Sequence, residues 1–268
     1  MLFDISLPLA LSFITLVVLL AYTRLTGKVK SLLGNREFTT RDVILLVVAM
    51  GVMVTVLGWT AINVPEMAIV VFFLYAYSTI LFLFTYLIVP KWYFALLAPA
   101  CFIALYFLWW NLYFLTLFAA IFAICASVYL GSLFTWKTTA VFVALLTLMD
   151  VVQVFVTGFM VEAGKVVGEQ LLLPIVIILP SFPSSGLLAL GLGDIFLTTL
   201  LVIQTTEKYG KRWGLVSLAA IGVVFFLLET IWLNSEVPAL PATVLIIAGW
   251  LAALGIRYLY RSPALDVG

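Results

Sequence analysis

Nine runs of apolar residues, separated by short stretches that contain charges, glycine or proline, dominate this 268-residue chain. A helix that crosses a lipid bilayer needs about 20 mostly apolar residues, and runs near this length recur along the whole sequence. Short turns join antiparallel neighbours in helical bundles. We therefore predict an all-α, polytopic membrane protein with nine transmembrane helices, at 5–23, 42–62, 67–89, 93–110, 112–131, 138–161, 185–205, 213–233 and 238–256.

The composition excludes a water-soluble domain and a nucleic-acid partner. Hydrophobic residues make up 66% of the chain and charged residues 9%, with a mean hydropathy of +1.29. The net charge of +1, without a long basic tract, offers nucleic acid no electrostatic footprint. We expect a single integral membrane domain over 1–268 whose main partner is the lipid bilayer. Helices one to six lie in 1–161, a loop in 162–184, and helices seven to nine in 185–268.

Positive charges are distributed very unevenly between the two ends of the predicted bundle. Lysine and arginine concentrate in cytoplasmic loops of membrane proteins, so this asymmetry predicts an N-terminus outside and a C-terminus inside the cell membrane. Because Asp4 stands where a signal peptide would be basic, we expect the first helix to be retained. Lys165 alone belongs to the outer end, and the other twelve of the thirteen belong to the inner end: Arg24, Lys28, Lys30, Arg36, Arg41, Lys91, Lys137, Lys208, Lys211, Arg212, Arg257 and Arg261.

The connection between the sixth and seventh predicted helices contains an apolar stretch, Leu171 to Leu179, that is too short to span a membrane as a helix. Its centre is rich in β-branched residues: Ile175, Val176, Ile177 and Ile178. One interpretation is an interfacial or re-entrant segment packed on the bundle. The other is an extended edge that pairs with an unwound peptide by strand addition. The sequence leaves both open.

Asp150 and Asp194 each stand near the middle of a predicted transmembrane run. An ionisable carboxyl at that depth costs about 2.5 to 3.5 kcal/mol, so both residues need an explanation beyond packing. Counted from the ends of their runs, the two depths match, and consecutive antiparallel helices can bring the carboxyls face to face. The chain has no histidine, which excludes Ser/His/Asp, Cys/His and HExxH chemistry.

Glycine and proline residues lie close to these candidates or at the start of the last predicted helix. Gly191 and Gly193 precede Asp194, which predicts either a loosened helix around the carboxyl or an ordinary tight helix crossing. Pro238 begins the last run, where proline is tolerated at a helix start and leaves nearby carbonyls free. Cys101 and Cys125 lack metal-like spacing and are expected to be buried small hydrophobes.

Three motifs in order give the chain a family resemblance. Gly191-Leu192-Gly193-Asp194 is a GxGD motif, Asp150 lies in the preceding helix, and Pro238-Ala239-Leu240 is a PAL motif in the last helix. The sequence resembles the presenilin and signal peptide peptidase family of GxGD intramembrane aspartyl proteases, as a prokaryotic, archaeal-type homologue. One position departs from the family pattern, because Met149 stands where a tyrosine usually precedes the first aspartate.

The resemblance implies an aspartic endopeptidase that cuts transmembrane helices or signal-peptide remnants. Asp150 and Asp194 would be catalytic, with the GxGD glycines, Leu192 and the PAL residues as active-site support. It also implies that 175–178 pair with an unwound substrate. The orientation is similar to that of signal peptide peptidases and opposite to that of presenilins. Neither a cofactor nor a metal is implied, and a homo-oligomer is left open.

Two carboxyls that share a site hold one proton between them, which suits general acid and base catalysis on a water molecule. Two alternatives remain open at this point. A prepilin or preflagellin peptidase also uses GxGD, but it cuts near the membrane surface. A proton-coupled transporter could use the two acids as a relay, although the halves of the chain show no inverted repeat.

Overall fold

A computed structural model describes residues 3–34, 36–60, 66–158, 171–183, 186–235 and 241–261. Nine helices lie within them, as predicted, and six are long and apolar enough to cross a membrane: α1, α3, α5, α6, α8 and α9. The chain is an all-α, multi-pass membrane protein. The helices are α1 (Ser6–Leu32), α2 (Thr40–Thr60), α3 (Glu66–Ile88), α4 (Trp92–Leu108), α5 (Leu112–Gly131), α6 (Trp136–Thr157), α7 (Leu192–Tyr209), α8 (Lys211–Leu233) and α9 (Ala242–Arg261).

Short-range signals fix several helix boundaries. The Asn111 side chain accepts hydrogen bonds from the backbone of Tyr113 and Phe114, which caps the start of α5. Thr135 and Thr138 form a reciprocal capping box at the start of α6. In α4 the helix is interrupted at Leu96, because Pro99 has no N–H to donate to the carbonyl one turn earlier.

The predicted start of the seventh helix at 185 is wrong. Residues 187–191 form a strand, β2 (Leu187–Gly191), which pairs antiparallel with β1 (Val176–Pro180), and α7 begins only at Leu192. Ile177 lies opposite Leu190 in this hairpin, and both are buried. A continuous apolar run of this length fits a buried strand as well as a helix, so the pattern alone does not locate the boundary.

The segment before β1 packs on the bundle through its carbonyl groups. Tyr77 of α3 donates to the carbonyl of Pro174 at 3.1 Å, and Tyr106 of α4 donates to that of Leu171 at 3.1 Å. Trp110 donates to the Leu172 carbonyl at 2.7 Å. Non-helical backbone at membrane depth needs such partners, because lipid offers none. The stretch is therefore a segment packed on the bundle that leads into a strand, and this strand pairs with β2 of the same chain.

α7 is the central helix of the described bundle. Most of its residues from Ile195 to Thr205 are buried, and it packs against α1, α5, α6, α8 and α9. A helix buried on all sides belongs to the interior of a bundle. Its polar side chains find partners there: Thr199 donates to the Ser127 hydroxyl at 2.9 Å, and Gln204 donates to the Phe134 carbonyl at 2.9 Å.

Asp4 fastens the start of α1 to the far end of the hairpin. Its carboxylate accepts hydrogen bonds from the backbone N–H groups of Leu7 at 2.9 Å and Phe182 at 2.8 Å. Burial alone would raise the pKa of Asp4, but these hydrogen bonds outweigh it and hold the pKa below its ordinary value. The ionised form is thus the one that the fold uses. Of the two cysteines, Cys125 is buried as expected, but Cys101 is exposed on the bundle surface.

Gly249 of α9 lies against the backbone of α8, and a methyl group there should destabilise the bundle. A Cβ at this position would lie 2.5 Å from the Cα of Ile221, which is backbone and cannot move aside cheaply. We expect Gly249→Ala to lower the free energy of unfolding by about 1–3 kcal/mol, measured as a drop in thermal unfolding temperature in detergent. Gly255→Ala in the same helix is the control, because a Cβ there meets no atom within 4 Å. Equal unfolding temperatures for the two variants would contradict this packing.

Candidate active site

Asp194 lies in the first turn of α7, so its predicted position in the middle of a helix is wrong. Gly191 is the N-cap residue of α7, and its backbone forms a hydrogen bond with the Asp194 carboxyl. A Cβ on Gly191 would lie 3.1 Å from Asp194 Oδ2, tighter than an ordinary contact. A carboxylate at a helix N-terminus is also favoured by the helix dipole. The glycine therefore ends β2 and leaves room for the acid, rather than loosening a helix.

The other two residues of the GxGD motif connect the acid to the hairpin. The Leu192 N–H donates to the Ile175 carbonyl at 3.1 Å, which continues the ladder of β1 and β2 by one pair. Gly193 is exposed, and a Cβ there would meet no atom within 4 Å. A side chain at position 191 would therefore crowd the Asp194 carboxyl, whereas a side chain at position 193 would not.

Asp150 lies on α6, just before its last turn widens into a π-helical turn at Val152–Thr157. The side chain is buried, with 3% of the residue exposed. Its Oδ2 accepts a hydrogen bond from the Thr243 hydroxyl of α9 at 2.6 Å, and Thr243 is buried as well. A short hydrogen bond to a carboxylate is among the stronger ones.

Sequence reasoning missed Thr243. The signal available for it was its position, because Thr243 lies three residues after the PAL motif. Pro238, Ala239 and Leu240 themselves lie outside the described residues. α9 begins at Ala242, two residues after Leu240, and the contact of its first turn with Asp150 brings this end of α9 to the candidate site.

The two aspartates reach the same level of the bundle from neighbouring antiparallel helices. The rings of Trp136 and Tyr209, which mark the start of α6 and the end of α7, lie 5.3 Å apart. Asp150 is 14 residues from the first and Asp194 is 15 from the second. At 1.5 Å per residue both carboxyls lie about 21–23 Å from that end. The two helices are also in contact with each other. The sequence prediction that the depths match therefore agrees with the geometry, although for a different helix start.

The β-branched residues proposed for substrate pairing lie in or next to β1, but that strand already has neighbours on both sides. The backbone groups of Ile175 and Ile177 point towards β2 and form hydrogen bonds of the hairpin. On the other edge, the Thr116 hydroxyl of α5 accepts from the Ile178 N–H at 3.2 Å and donates to its carbonyl at 3.0 Å. Val176 lies on the same edge as Ile178. The register instead leaves the backbone groups of Ala189, on the far edge of β2, pointing away from β1.

Two apolar grooves flank α6 near Asp150. The α2–α6 groove has a cavity volume of about 540 Å³ and includes Gly51, Met149 and Gln153 in its lining. There the Gln153 amide donates to the Gly51 carbonyl at 3.1 Å. The α6–α9 groove has a volume of about 510 Å³ and includes Thr147 and Val151. Each groove thus reaches residues within three positions of Asp150 along the chain.

Within the ranges that the structure describes, no three His, Cys, Asp or Glu side chains come together as a group able to hold a metal ion. Asp150 and Asp194 are the two acids that lie at one level of the bundle, and the hydrogen-bond partner of Asp150 is a threonine hydroxyl. The described arrangement offers acid and base groups and a hydroxyl donor.

No protein-family model and no curated protein matches the sequence. Among solved structures, the chain is similar to one described as a presenilin family intramembrane aspartate protease, with a TM-score of 0.63 and 14% sequence identity. The match covers 92% of this chain and 97% of that one. The fold expected from the motif resemblance is therefore confirmed over nearly the whole length. At this identity the likeness is a statement about fold.

Proposed function

We propose that this chain is an intramembrane aspartic endopeptidase that hydrolyses peptide bonds within transmembrane helices. The observation that carries the proposal is that Asp150 and Asp194 lie at one depth on adjacent helices that contact each other, in a bundle with a presenilin-like fold. Carboxyls inside a membrane protein are expensive and mark functional sites. Two that approach each other, with Thr243 orienting one, have the arrangement that hydrolysis needs.

The chemistry follows from a proton shared by the pair, because two adjacent carboxylates cannot both ionise cheaply. The ionised member takes a proton from a bound water molecule, and the resulting hydroxide attacks the scissile carbonyl carbon. The protonated member donates its proton to the carbonyl oxygen. When the C–N bond breaks, a proton returns to the leaving amine. Nothing in these steps needs a group beyond the two acids and water.

A substrate helix must unwind before its peptide bonds can react, since they are otherwise held in internal hydrogen bonds. We propose that the freed strand adds to the outer edge of β2, because the outer edge of β1 is occupied by Thr116 at Ile178. Strand addition supplies the backbone partners that lipid lacks. β2 leads directly into Gly191 and Asp194, so a strand paired there runs beside the acid.

Two other functions would use some of the same residues. A proton-coupled transporter could employ the acids as a relay, but a hairpin that ends at one of the acids is not needed for transport. A prepilin or preflagellin peptidase would need the acids near the membrane surface. Both carboxyls lie about 21–23 Å along their helices from the Trp136 and Tyr209 end, which leaves them about 7–9 Å inside the opposite face of a core of about 30 Å and not at either surface.

The test is to incubate the purified full chain in lipid nanodiscs with a single-span peptide and to identify the products by mass spectrometry. We expect cuts within the apolar span. Cuts confined to juxtamembrane residues would favour the prepilin-type function. An intact peptide, together with proton-driven solute uptake by vesicles that contain the chain, would favour transport. The proposal predicts a cytoplasmic N-terminus for the preferred substrate, so the peptide is supplied in both orientations.

Thr243 should act as a positioning residue for Asp150. Thr243→Val keeps the shape of the side chain but removes the hydroxyl that donates to Asp150 Oδ2. Hydrogen bonds to charged groups contribute about 1.5–3 kcal/mol, so we expect the cleavage rate constant kcat to fall roughly tenfold or more. KM should change little, because the hydroxyl does not bind substrate. Thr243→Ser keeps the donor and should restore most of the rate. A valine variant with wild-type kcat would show that the hydrogen bond is only structural.

A further inference from the structure

The end of the bundle where α7 meets α8 carries two cations that are held by aromatic rings. The Lys208 ammonium lies 3.9 Å from the centre of the Trp136 ring. The Arg257 guanidinium lies 3.5 Å from the centre of the Tyr209 ring and 5.9 Å from that of Trp213. Such contacts fix the position of a cation while leaving its charge in place.

These two cations have no carboxylate partner within the described part of the chain. The ion pair in that part of the chain joins Lys30 to Glu207. The Glu207 carboxylate also accepts a hydrogen bond from the Tyr22 hydroxyl. A guanidinium stacked by its face still has its N–H groups at the edge, where they fit the oxygens of a phosphate. Lys208 is exposed and has three donors of its own. The pair is thus held in place and still available to an anion.

An apolar groove opens beside this pair. Trp250 lines the α6–α9 groove and packs on Trp136 with ring centres 5.6 Å apart, and the Trp136 ring is the one that holds Lys208. From Ala140 to Val151 the groove follows α6 for about 16 Å at 1.5 Å per residue. Half of a bilayer core of about 30 Å is close to this length. The groove therefore matches one acyl chain in one leaflet.

We infer that Lys208 and Arg257, together with the α6–α9 groove, form a binding site for one anionic phospholipid. The phosphate of the headgroup lies between the two cations, and an acyl chain occupies the groove as far as Val151, the neighbour of Asp150. Charge complementarity selects an anionic lipid over a zwitterionic one, because the site supplies two positive charges and no described negative one. The site is separate from the pair of catalytic candidates and does not depend on their chemistry.

The site can be tested by native mass spectrometry of the detergent-purified full chain, titrated with dioleoyl-phosphatidylglycerol, dioleoyl-phosphatidylcholine or inorganic phosphate. Attraction of about 1 kcal/mol for each of the two cations predicts that phosphatidylglycerol is retained roughly thirtyfold more than phosphatidylcholine. The double variant Lys208→Gln, Arg257→Gln should lose that preference. The double variant Arg24→Gln, Lys28→Gln removes the same charge from exposed positions of α1 and should keep it.

The groove has its own matched pair of variants. Ala144 lines the groove, so Ala144→Phe should fill it and reduce retention of phosphatidylglycerol severalfold. Ala252→Phe adds the same bulk to an exposed position of α9 and should not. Equal retention of the two lipids, or wild-type binding by the Lys208 and Arg257 variant, would overturn the inference. So would displacement of the lipid by millimolar phosphate, or an Ala144 variant that binds normally, because either would mean a headgroup contact without the groove.

Discussion

Asp150→Asn and Asp194→Asn should each reduce cleavage of a single-span substrate by about 10²–10⁴-fold, which for a slow intramembrane enzyme means loss of detectable product. Asparagine matches aspartate in shape, and at position 150 its carbonyl oxygen can still accept from Thr243. It cannot take a proton from water or give one to the scissile carbonyl. Because the two acids act as a unit, the double variant should be no slower than either single one. Initial rates in nanodiscs measure all three.

Asp42→Asn is the matched control for these variants. Asp42 is an exposed carboxylate in the first turn of α2, bonded to Thr39, so its replacement changes one charge without touching the pair. Its cleavage rate should equal that of the wild type. The two site variants should also unfold at or above the wild-type temperature, since each replaces one of two neighbouring acids by a neutral amide of the same shape. If either site variant cuts at a rate within threefold of the wild type, the acid and base lie elsewhere.

The helix count could be predicted from the sequence because the physical cause is simple. Each transmembrane helix needs a long apolar run, and charged or proline-containing turns interrupt those runs. Asn111 and Thr135 mark two helix starts by capping, which the structure shows in detail. These signals depend only on residues that are close together in the chain, so they can be identified from a single sequence.

The hairpin was less predictable because its evidence is not local. The run that contains residues 187–203 is mostly apolar, and its hydrophobic pattern does not separate a five-residue strand from the helix that follows. β2 forms because β1 lies ready to pair with it, and β1 in turn packs against Thr116 of α5. The β-branched residues 175–178 predicted an extended segment. Its partner could be identified only from the three-dimensional arrangement.

The residues of the candidate site also divide into those that local sequence signals identify and those that only the fold reveals. Asp150 and Asp194 stood out because a carboxyl in an apolar run is rare and costly. Thr243 did not, because a threonine in an apolar helix usually bonds to its own backbone, as Thr205 does to the Leu201 carbonyl. Matching depths depended on where α7 starts. The sequence predicts the depth of Asp194 from the two ends of a run that starts at 185, whereas α7 starts at Leu192, so only the distance to the end of the helix carries over to the structure.

Ala189→Pro should abolish most cleavage if an unwound substrate pairs with the outer edge of β2. The register directs the Ala189 N–H away from β1, so proline removes a donor that the hairpin does not use. A substrate strand would lose that backbone bond and would meet the proline ring at the shared edge. We expect a decrease of roughly 10- to 100-fold in kcat/KM, as for the loss of one or more buried hydrogen bonds in a water-poor site.

Ala189→Val is the matched control, because it adds comparable bulk at the exposed position while keeping the N–H and favouring a strand. It should cut at close to the wild-type rate. Both variants should keep the wild-type unfolding temperature within a few degrees, which separates a lost substrate contact from a damaged hairpin. Normal cleavage by the proline variant would mean that the substrate reaches Asp194 without adding to β2. Cleavage of a peptide already unwound by a central proline should be less sensitive to Ala189→Pro than cleavage of a stable helix, because only the latter needs the strand edge to hold it open.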